Sequence, residues 1–498
     1  MTRSLRVDAY DETVEAAVAM GRREQVGFIL RIQEKKELLF NLNNGETEEI
    51  ATTSLRGMGI QVCTPEGYTG FASSDRIDPS TVTELFQQAL KLAKRVEAMK
   101  GEANKALFSA PPNNRRVVVP LKYPYGSCSL AEIEERLVKL NKSLTLDPRL
   151  SVRTVHRLVD EEWRVVRHDG TDTAFMTPRS FIYNTFTARE NGKTATTYCN
   201  LPGTDLSILL EPAETAKLYK RSVRAARMAL DLLHAGTVKS GSYKLVIDYA
   251  LAKVLAHEAF GHAAETDEME SSILGENGRL RRGMEVASPI VSIIDGPVEG
   301  DYAYQPVSAN GIDRQTVYIV RDGILEAGLA DLFSAEAAGV PVTGAGRAES
   351  YQHLPLARMS NIRIQVKDPW PIEEEFEEIT PEKLYEIMLR TGLMKEGEEV
   401  YYLSGFKGGQ VNSAEGNFVF NCAGIYLLGP EPRLYQPAIF SGKVLSALRA
   451  VRAGLGPLKI DAMGTCGKMA QGVPSSGGSH YFLVLDKNPG IMLGGEGR

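Results

Sequence analysis

The sequence predicts an α+β protein, with a mixed α/β N-terminal region followed by a β-rich C-terminal domain built around one histidine-bearing helix. Three observations carry that prediction. Amphipathic helical stretches and strand-like runs share the N-terminal half. Past residue 240 the texture changes to short apolar runs broken by glycine, the punctuation of strands and turns. Within that second region a single strand–helix unit carries "KVLAHEAFGHAAETDE", residues 253–268.

The elements follow in order. "DETVEAAVAMGRR" reads as an amphipathic helix. The stretch from "VGFILRIQ" to "GYTGFASS" reads as strands, with turns at Asn43-Asn44-Gly45 and Glu66-Gly67. "PSTVTELFQQALKLAKRVEAM" opens on Pro79 and Ser80 and continues as a second helix. "FSAPPNNRR", residues 108–116, is a linker candidate, so 1–108 is expected to form an N-terminal α/β domain. "SLAEIEERLVKLNKSLTL" has acidic residues in its first turn, as a helix start favours. Alternating runs around a turn at Asp169-Gly170 suggest antiparallel sheet. The long helix "EPAETAKLYKRSVRAARMALDLLHA" then closes a middle α+β domain, 117–236, with Gly236 expected as its C-cap. Residues 240–498 form the expected β-rich domain, with strand-like runs such as "GKVLSALRAV" and "SHYFLVLDK".

Composition narrows the function classes. A net charge of -6 and the lack of a Lys/Arg-dense patch argue against nucleic acid as a partner. No run of 18 apolar residues occurs, so no membrane-spanning helix is expected, and the charged N-terminus lacks the apolar core of a signal peptide. Five widely spaced cysteines fit reduced thiols and a cytoplasmic location.

The chemistry concentrates at His257, Glu258 and His262. Metallopeptidase helices often carry His-Glu-x-x-His, with the histidines four residues apart. Here the spacing is five. A regular helix turns about 100° per residue, so a spacing of four leaves two side chains about 40° apart and a spacing of five about 140°. The pair can share a metal if one extra residue is absorbed as a π-bulge, and Gly261 would ease that distortion. Asp248 is placed to cap this helix, which starts at Tyr249. Glu258 follows the first histidine, where zinc peptidases keep the group that activates water and shuttles its proton. Glu265 and Asp267 could orient the imidazoles from behind, or simply form the acidic end of the helix.

A catalytic zinc needs three protein ligands and an open position. Cys466, His353 and His480 are the candidates for the third. Cys466 lies between glycines and two residues before Lys468, and a nearby cation favours thiolate.

These stretches resemble the TldD branch of the TldD/PmbA metallopeptidases. Their signature HEAxGHxxExD is matched by His257, Glu258, Gly261, His262, Glu265 and Asp267. A second signature, CGKxGQxVP, is matched by Cys466, Gly467, Lys468, Gln471, Val473 and Pro474, with Ala470 in place of a glycine. "TGAGRA", "RMSN" and "GGQVNSAEGNFVF" match in the same order between them. The resemblance implies Zn2+ held by His257, His262 and Cys466, with Glu258 as the catalytic base. Glu265, Asp267 and Lys468 would support them. It further implies small or unfolded peptide substrates, including precursor peptides trimmed to maturity, and pairing with a PmbA/TldE-like subunit; a dimer is expected, this heterodimer or, as the alternative, a homodimer. Two alternatives stand beside a peptidase: a specialised metal-dependent biosynthetic enzyme acting on a modified peptide or peptide-like metabolite, and a non-catalytic peptide-binding partner subunit.

Overall fold

The computed structural model of the chain describes residues 4–412 and 414–496. Helix α1 (Asp11–Glu24) ends in the left-handed residue Gln25 and leads into strand β1 (Gly27–Asn43). A tight turn, with Asn44 and Gly45 both at positive φ, joins β1 to β2 (Glu46–Cys63), and β3 (Thr69–Ser74) extends the meander. Helix α2 (Pro79–Ala98) starts from Asp78, whose carboxylate accepts from the Thr81 N–H, with Pro79 at the first helical position. Helix α3 (Leu130–Ser143) opens with a capping box between Ser129 and Glu132.

The strands β4 (Leu150–Arg167), β5 (Asp172–Met176), β6 (Arg179–Glu190) and β7 (Lys193–Gly203) join β1–β3 in the first sheet, and the two-residue strand Arg116–Val117 pairs with β5 as a further member. Strand β4 pairs with β1 on one side and with both β5 and β6 on the other. The segments 1–108 and 117–236 therefore contribute to a single sheet of eight strands among the described residues, and the 108–116 linker candidate lies between partners of that sheet.

Helix α4 (Pro212–Leu232) follows β7. Gly236 does not cap it. The helix closes at Leu233, and Gly236 instead bridges to Tyr435 in the C-terminal sheet. A tertiary pairing has overridden the local helix-stop signal.

The second sheet has thirteen strands among the described residues. At its centre lies β8 (Lys244–Asp248), which feeds directly into helix α5 (Tyr249–Ala256). The flanking elements include, in chain order, β9 (Val291–Gly296), β10 (Asn361–Val366), α6 (Pro381–Arg390), β11 (Val400–Asn412), β12 (Asn417–Leu427), β13 (Ala438–Lys443), α7 (Val444–Arg449), β14 (Val451–Lys459), β15 (Gly464–Lys468), β16 (Gln471–Leu485) and β17 (Ile491–Glu496). Strand β8 runs parallel to β11 and antiparallel to β16. The region is β-rich, but it holds more than one helix: "GKVLSALRAV" turns from strand into α7, since a short apolar run does not by itself separate the two states.

Two of these placements set up the site. Helix α5 is buried nearly all round, with Leu251, Ala252, Val254, Leu255 and Ala256 in the largest hydrophobic cluster. Strands β15 and β16 form a hairpin with Lys468 paired to Gln471, so its loop is Met469-Ala470. Both loop residues have positive φ, +47° and +61°, which side chains other than glycine and asparagine resist. Ala470→Gly should relieve this turn by about 0.5–1 kcal/mol and raise the melting temperature by about 1 °C. Scanning calorimetry of the two proteins checks it, and a lower melting temperature for the glycine variant would contradict a strained loop.

Candidate metal centre

Asp248 ends β8 and caps α5. One carboxylate oxygen accepts from the Leu251 N–H at 2.8 Å and the other from the Gly405 N–H at 2.8 Å, tying the helix start to β11. The helix then widens. Residues His257–Gly261 form a π-turn, closed by the His262 N–H donating to the His257 carbonyl. One turn here consumes five residues, so both histidines emerge on one face. Their ring centres lie 5.1 Å apart with the planes at 89°.

Gly261 has ordinary helical torsions, φ -60° and ψ -50°, so its value is not conformational freedom. A Cβ there would meet the Met359 Sδ at 1.9 Å. Close packing against the segment before β10 favours glycine, since a larger residue would have to displace the buried Met359 side chain.

The β15–β16 hairpin folds back over this turn and delivers Cys466. Its Sγ lies 3.6 Å from the His262 Nε2. Among the described residues, His257, His262 and Cys466 are the one group of three or more potential ligands whose donor atoms converge, all within 4.8 Å of one another. A tetrahedral ion with bonds of about 2.0–2.3 Å sets its donors about 3.3–3.8 Å apart, so modest adjustment would seat one. The donor set, two imidazoles and a thiol, suits zinc. The His257 Nδ1 is also buried without a hydrogen-bond partner among the described residues, an unfavourable state for a ring nitrogen unless something ligates or hydrates the ring.

The other two candidates for the third ligand are elsewhere. The His480 Nδ1 contacts the Gly456 carbonyl at 2.7 Å, and its Nε2 accepts from the Val366 N–H at 3.1 Å, which satisfies both nitrogens in the core. The His353 Nδ1 contacts the Ser350 Oγ at 2.9 Å.

Carboxylates and cations order the ring from behind. The Glu265 Oε2 lies 3.0 Å from the His262 Nδ1, which leaves Nε2 facing Cys466. Lys468 donates to Glu265 at 3.0 Å and to Asp267 at 2.7 Å, and Glu268 stands 3.3 Å away. The ammonium expected to hold the Cys466 thiolate is thus engaged by three carboxylates. Burial opposes ionisation of Glu265, but His262 and Lys468 outweigh it and hold its carboxyl below the usual range. Burial pushes His257 well below the ordinary imidazole value, with Lys253 and His262 adding to the shift, so His257 is neutral and fit to ligate. Burial also opposes the His262 cation, but Glu265 and Cys466 prevail and raise it to about 11.

Three residues that the sequence reading did not single out complete the site. Arg358, fully buried, donates to the carbonyls of Cys466 and Gln471, one on each strand of the hairpin. Arg347 donates to the Met359 and Pro474 carbonyls at 2.6 Å each. Lys253, one turn before His257, is buried and donates to the Ser475 Oγ at 3.1 Å. Arg358 stands in "RMSN", which matched the family pattern, but no periodicity marks a buried arginine. A cavity of about 320 Å³ opens beside this constellation, lined by Glu258, Lys253 and Thr465 among others.

Comparison with known proteins places these features in a family context. The C-terminal domain of PmbA/TldA metallopeptidases matches residues 240–472, and domain 1 of the same group matches residues 30–93. A metalloprotease of Methanocaldococcus jannaschii is 26% identical over 453 residues, covering 90% of this chain and 94% of that protein. A metalloprotease TldD homolog of Haemophilus influenzae is 29% identical over 461 residues, covering 88% and 87%. The crystal structure of TldE from Thermococcus kodakarensis superposes with a TM-score of 0.73 at 16% identity, covering 97% of this chain and all of that one, which establishes a shared fold.

The raised pKa of His262 has a signed consequence. In metal-free protein it adds stability that is complete below the ordinary value of 6.5 and fades as the pH climbs toward about 11. Denaturant titrations of metal-free wild type and His262→Gln should therefore converge across that window. A stability gap that does not change with pH would mean that His262 carries no such proton.

Proposed function

This chain belongs to the PmbA/TldD metallopeptidase family, and on that premise we propose that it is a zinc-dependent peptidase acting on small or unfolded peptides. The observation that carries the reading is the convergence of two imidazoles and a thiol beside Glu258, at the edge of a cavity. His257, His262 and Cys466 would hold the ion. When bound, zinc would act as a Lewis acid toward the scissile carbonyl and make water a better nucleophile at neutral pH.

The chain's own residues do the rest. Glu258, next to a ligand and lining the cavity, accepts the proton of the attacking water and returns it to the leaving amine. Glu265 keeps the His262 ring turned toward the ion, and Lys468 keeps Glu265 ionised. Arg358 and Arg347 hold the Cys466 hairpin in place through its backbone carbonyls.

We propose trimming of precursor peptides as its physiological role. A second subunit, TldE-like or a second copy of this chain, would narrow the approach so that extended chains enter and folded ones do not. Extended backbone could then add to an open sheet edge, which tolerates varied side chains. We assign the protein to the cytoplasm, whose reducing conditions would keep the Cys466 thiol free to ligate. Among the described residues no helix is long and apolar enough to cross a membrane.

Glu258→Ala should keep its zinc and its fold yet lose about 10²- to 10⁴-fold in peptide hydrolysis, because the ligands stay while the proton carrier goes. Metal analysis alongside a peptide-library digest measures both. Unchanged turnover in the variant would remove Glu258 from the mechanism, and a wild-type protein without metal-dependent cleavage would overturn the peptidase reading.

Cys466→Ala should lower zinc content sharply, whereas Cys422→Ala, at a buried thiol outside the convergent group, should leave it unchanged. Zinc stoichiometry after dialysis against a weak chelator distinguishes them. Equal retention in both variants would return Cys466 to the structural thiols.

A further inference from the structure

The cavity beside Glu258 also carries information about what enters it. Its walls include Arg221 and Arg224 from α4, together with Lys253 from α5. The three cations differ in their partners. Arg221 is neutralised: its Nε pairs with Glu377 at 2.8 Å and its Nη2 with Asp461 at 2.6 Å. Arg224 lies three residues further on, on the same side of the helix. It donates to the Tyr402 Oη at 3.2 Å and packs over the Phe376 ring at 5.7 Å, but among the described residues it has no ion pair. Lys253 likewise has only the Ser475 hydroxyl and no ion pair among them.

The carboxylates that border the same cavity are otherwise engaged. Both Asp248 oxygens accept backbone N–H groups, from Leu251 and Gly405. Glu258 is the proton carrier in the reading above. A guanidinium carries five donors in a rigid fork that matches a carboxylate two bonds at a time. The Asp248 charge favours the Arg224 cation without forming an ion pair with it, so among the described residues Arg224 presents a fork with no carboxylate seated on it, on the wall of a substrate-sized space.

We propose that this cavity binds a carboxylate of the peptide substrate close to the scissile bond, with Arg224 as its main anchor and Lys253 as a second donor. The inference rests on the peptidase reading and narrows it to a substrate class. Tyr198, Met228 and Phe406 supply an apolar wall for the rest of the residue that bears the carboxylate. A volume of about 320 Å³ has room for one or two residues. The carboxylate has two sources, the C-terminus of a short peptide or an Asp or Glu side chain within a longer one.

Four acetylated tetra-alanine peptides separate the sources: the free acid, its C-terminal amide, and amidated versions with Asp or Asn at the third position. Binding is measured by titration calorimetry on the full-length protein as purified. The titrations are repeated after chelation of its metal, so that capture of a carboxylate by the metal itself is separated from capture by the chain. At least one acid should bind about tenfold or more tightly than its neutral counterpart in both preparations, as a charge-assisted fork predicts. Preference for the free acid points to the C-terminus, and preference for Asp over Asn to a side chain.

Arg224→Gln should abolish the preference and Arg224→Lys should restore part of it. Equal binding of acid and neutral peptides, no measurable binding of either acid, or a preference that survives Arg224→Gln would overturn the proposal. Should Arg224→Gln fail to fold, the wild-type contrasts and Arg224→Lys still decide it. Loss of metal-dependent cleavage with the carboxylate preference intact would instead strike the peptidase reading alone.

Discussion

One backbone hydrogen bond governs the site: the His262 N–H donating to the His257 carbonyl. It closes a turn of five residues where a regular helix would close four. Without it the two imidazoles would diverge around the helix by about 140°. With it they share a face, and Glu258 follows His257 at the wall of the adjoining cavity. The widened turn is held from both ends. Asp248 fixes the start of the helix to β11, and Met359 packs against Gly261 so closely that a larger residue would have to displace it.

Everything else in the site brings charge or chain to that turn. The Lys468–Glu265–His262 relay couples the hairpin bearing Cys466 to the ring that faces it. Its members are largely buried, and the Glu265 carboxylate draws on His262 and Lys468 together, while Lys468 also holds Asp267 and Glu268. Arg358 and Arg347 reach the hairpin through its carbonyls, so the hairpin's place depends on the chain around β10. These contacts join residues about a hundred positions apart. They suit a centre assembled late in folding, after β10, β8 and β16 have paired.

Local signals were legible in the sequence where the physics is local. The cap at Asp248, the helix from Asp11 and the Asn44-Gly45 turn each depend on a few neighbouring residues, and all appear as read. The five-residue histidine spacing pointed to a widened turn because a metal pair would need one. Non-local effects were not legible. Gly236 signals a helix stop, yet its place is set by a bridge to Tyr435. Lys468 stands two residues from Cys466 in sequence, but its ammonium turns to carboxylates 200 residues earlier. The buried arginines, and the differing partners of Arg221 and Arg224, leave no pattern in the chain and emerge only from packing.

On this reading the widened turn and the β15–β16 hairpin together form one metal site of two nitrogens and one sulfur. X-ray absorption at the zinc edge of the metal-loaded protein tests it most directly. A sulfur scatterer at about 2.3 Å together with imidazole nitrogens at about 2.0–2.1 Å is the expected shell. A shell of nitrogen and oxygen alone would contradict the account.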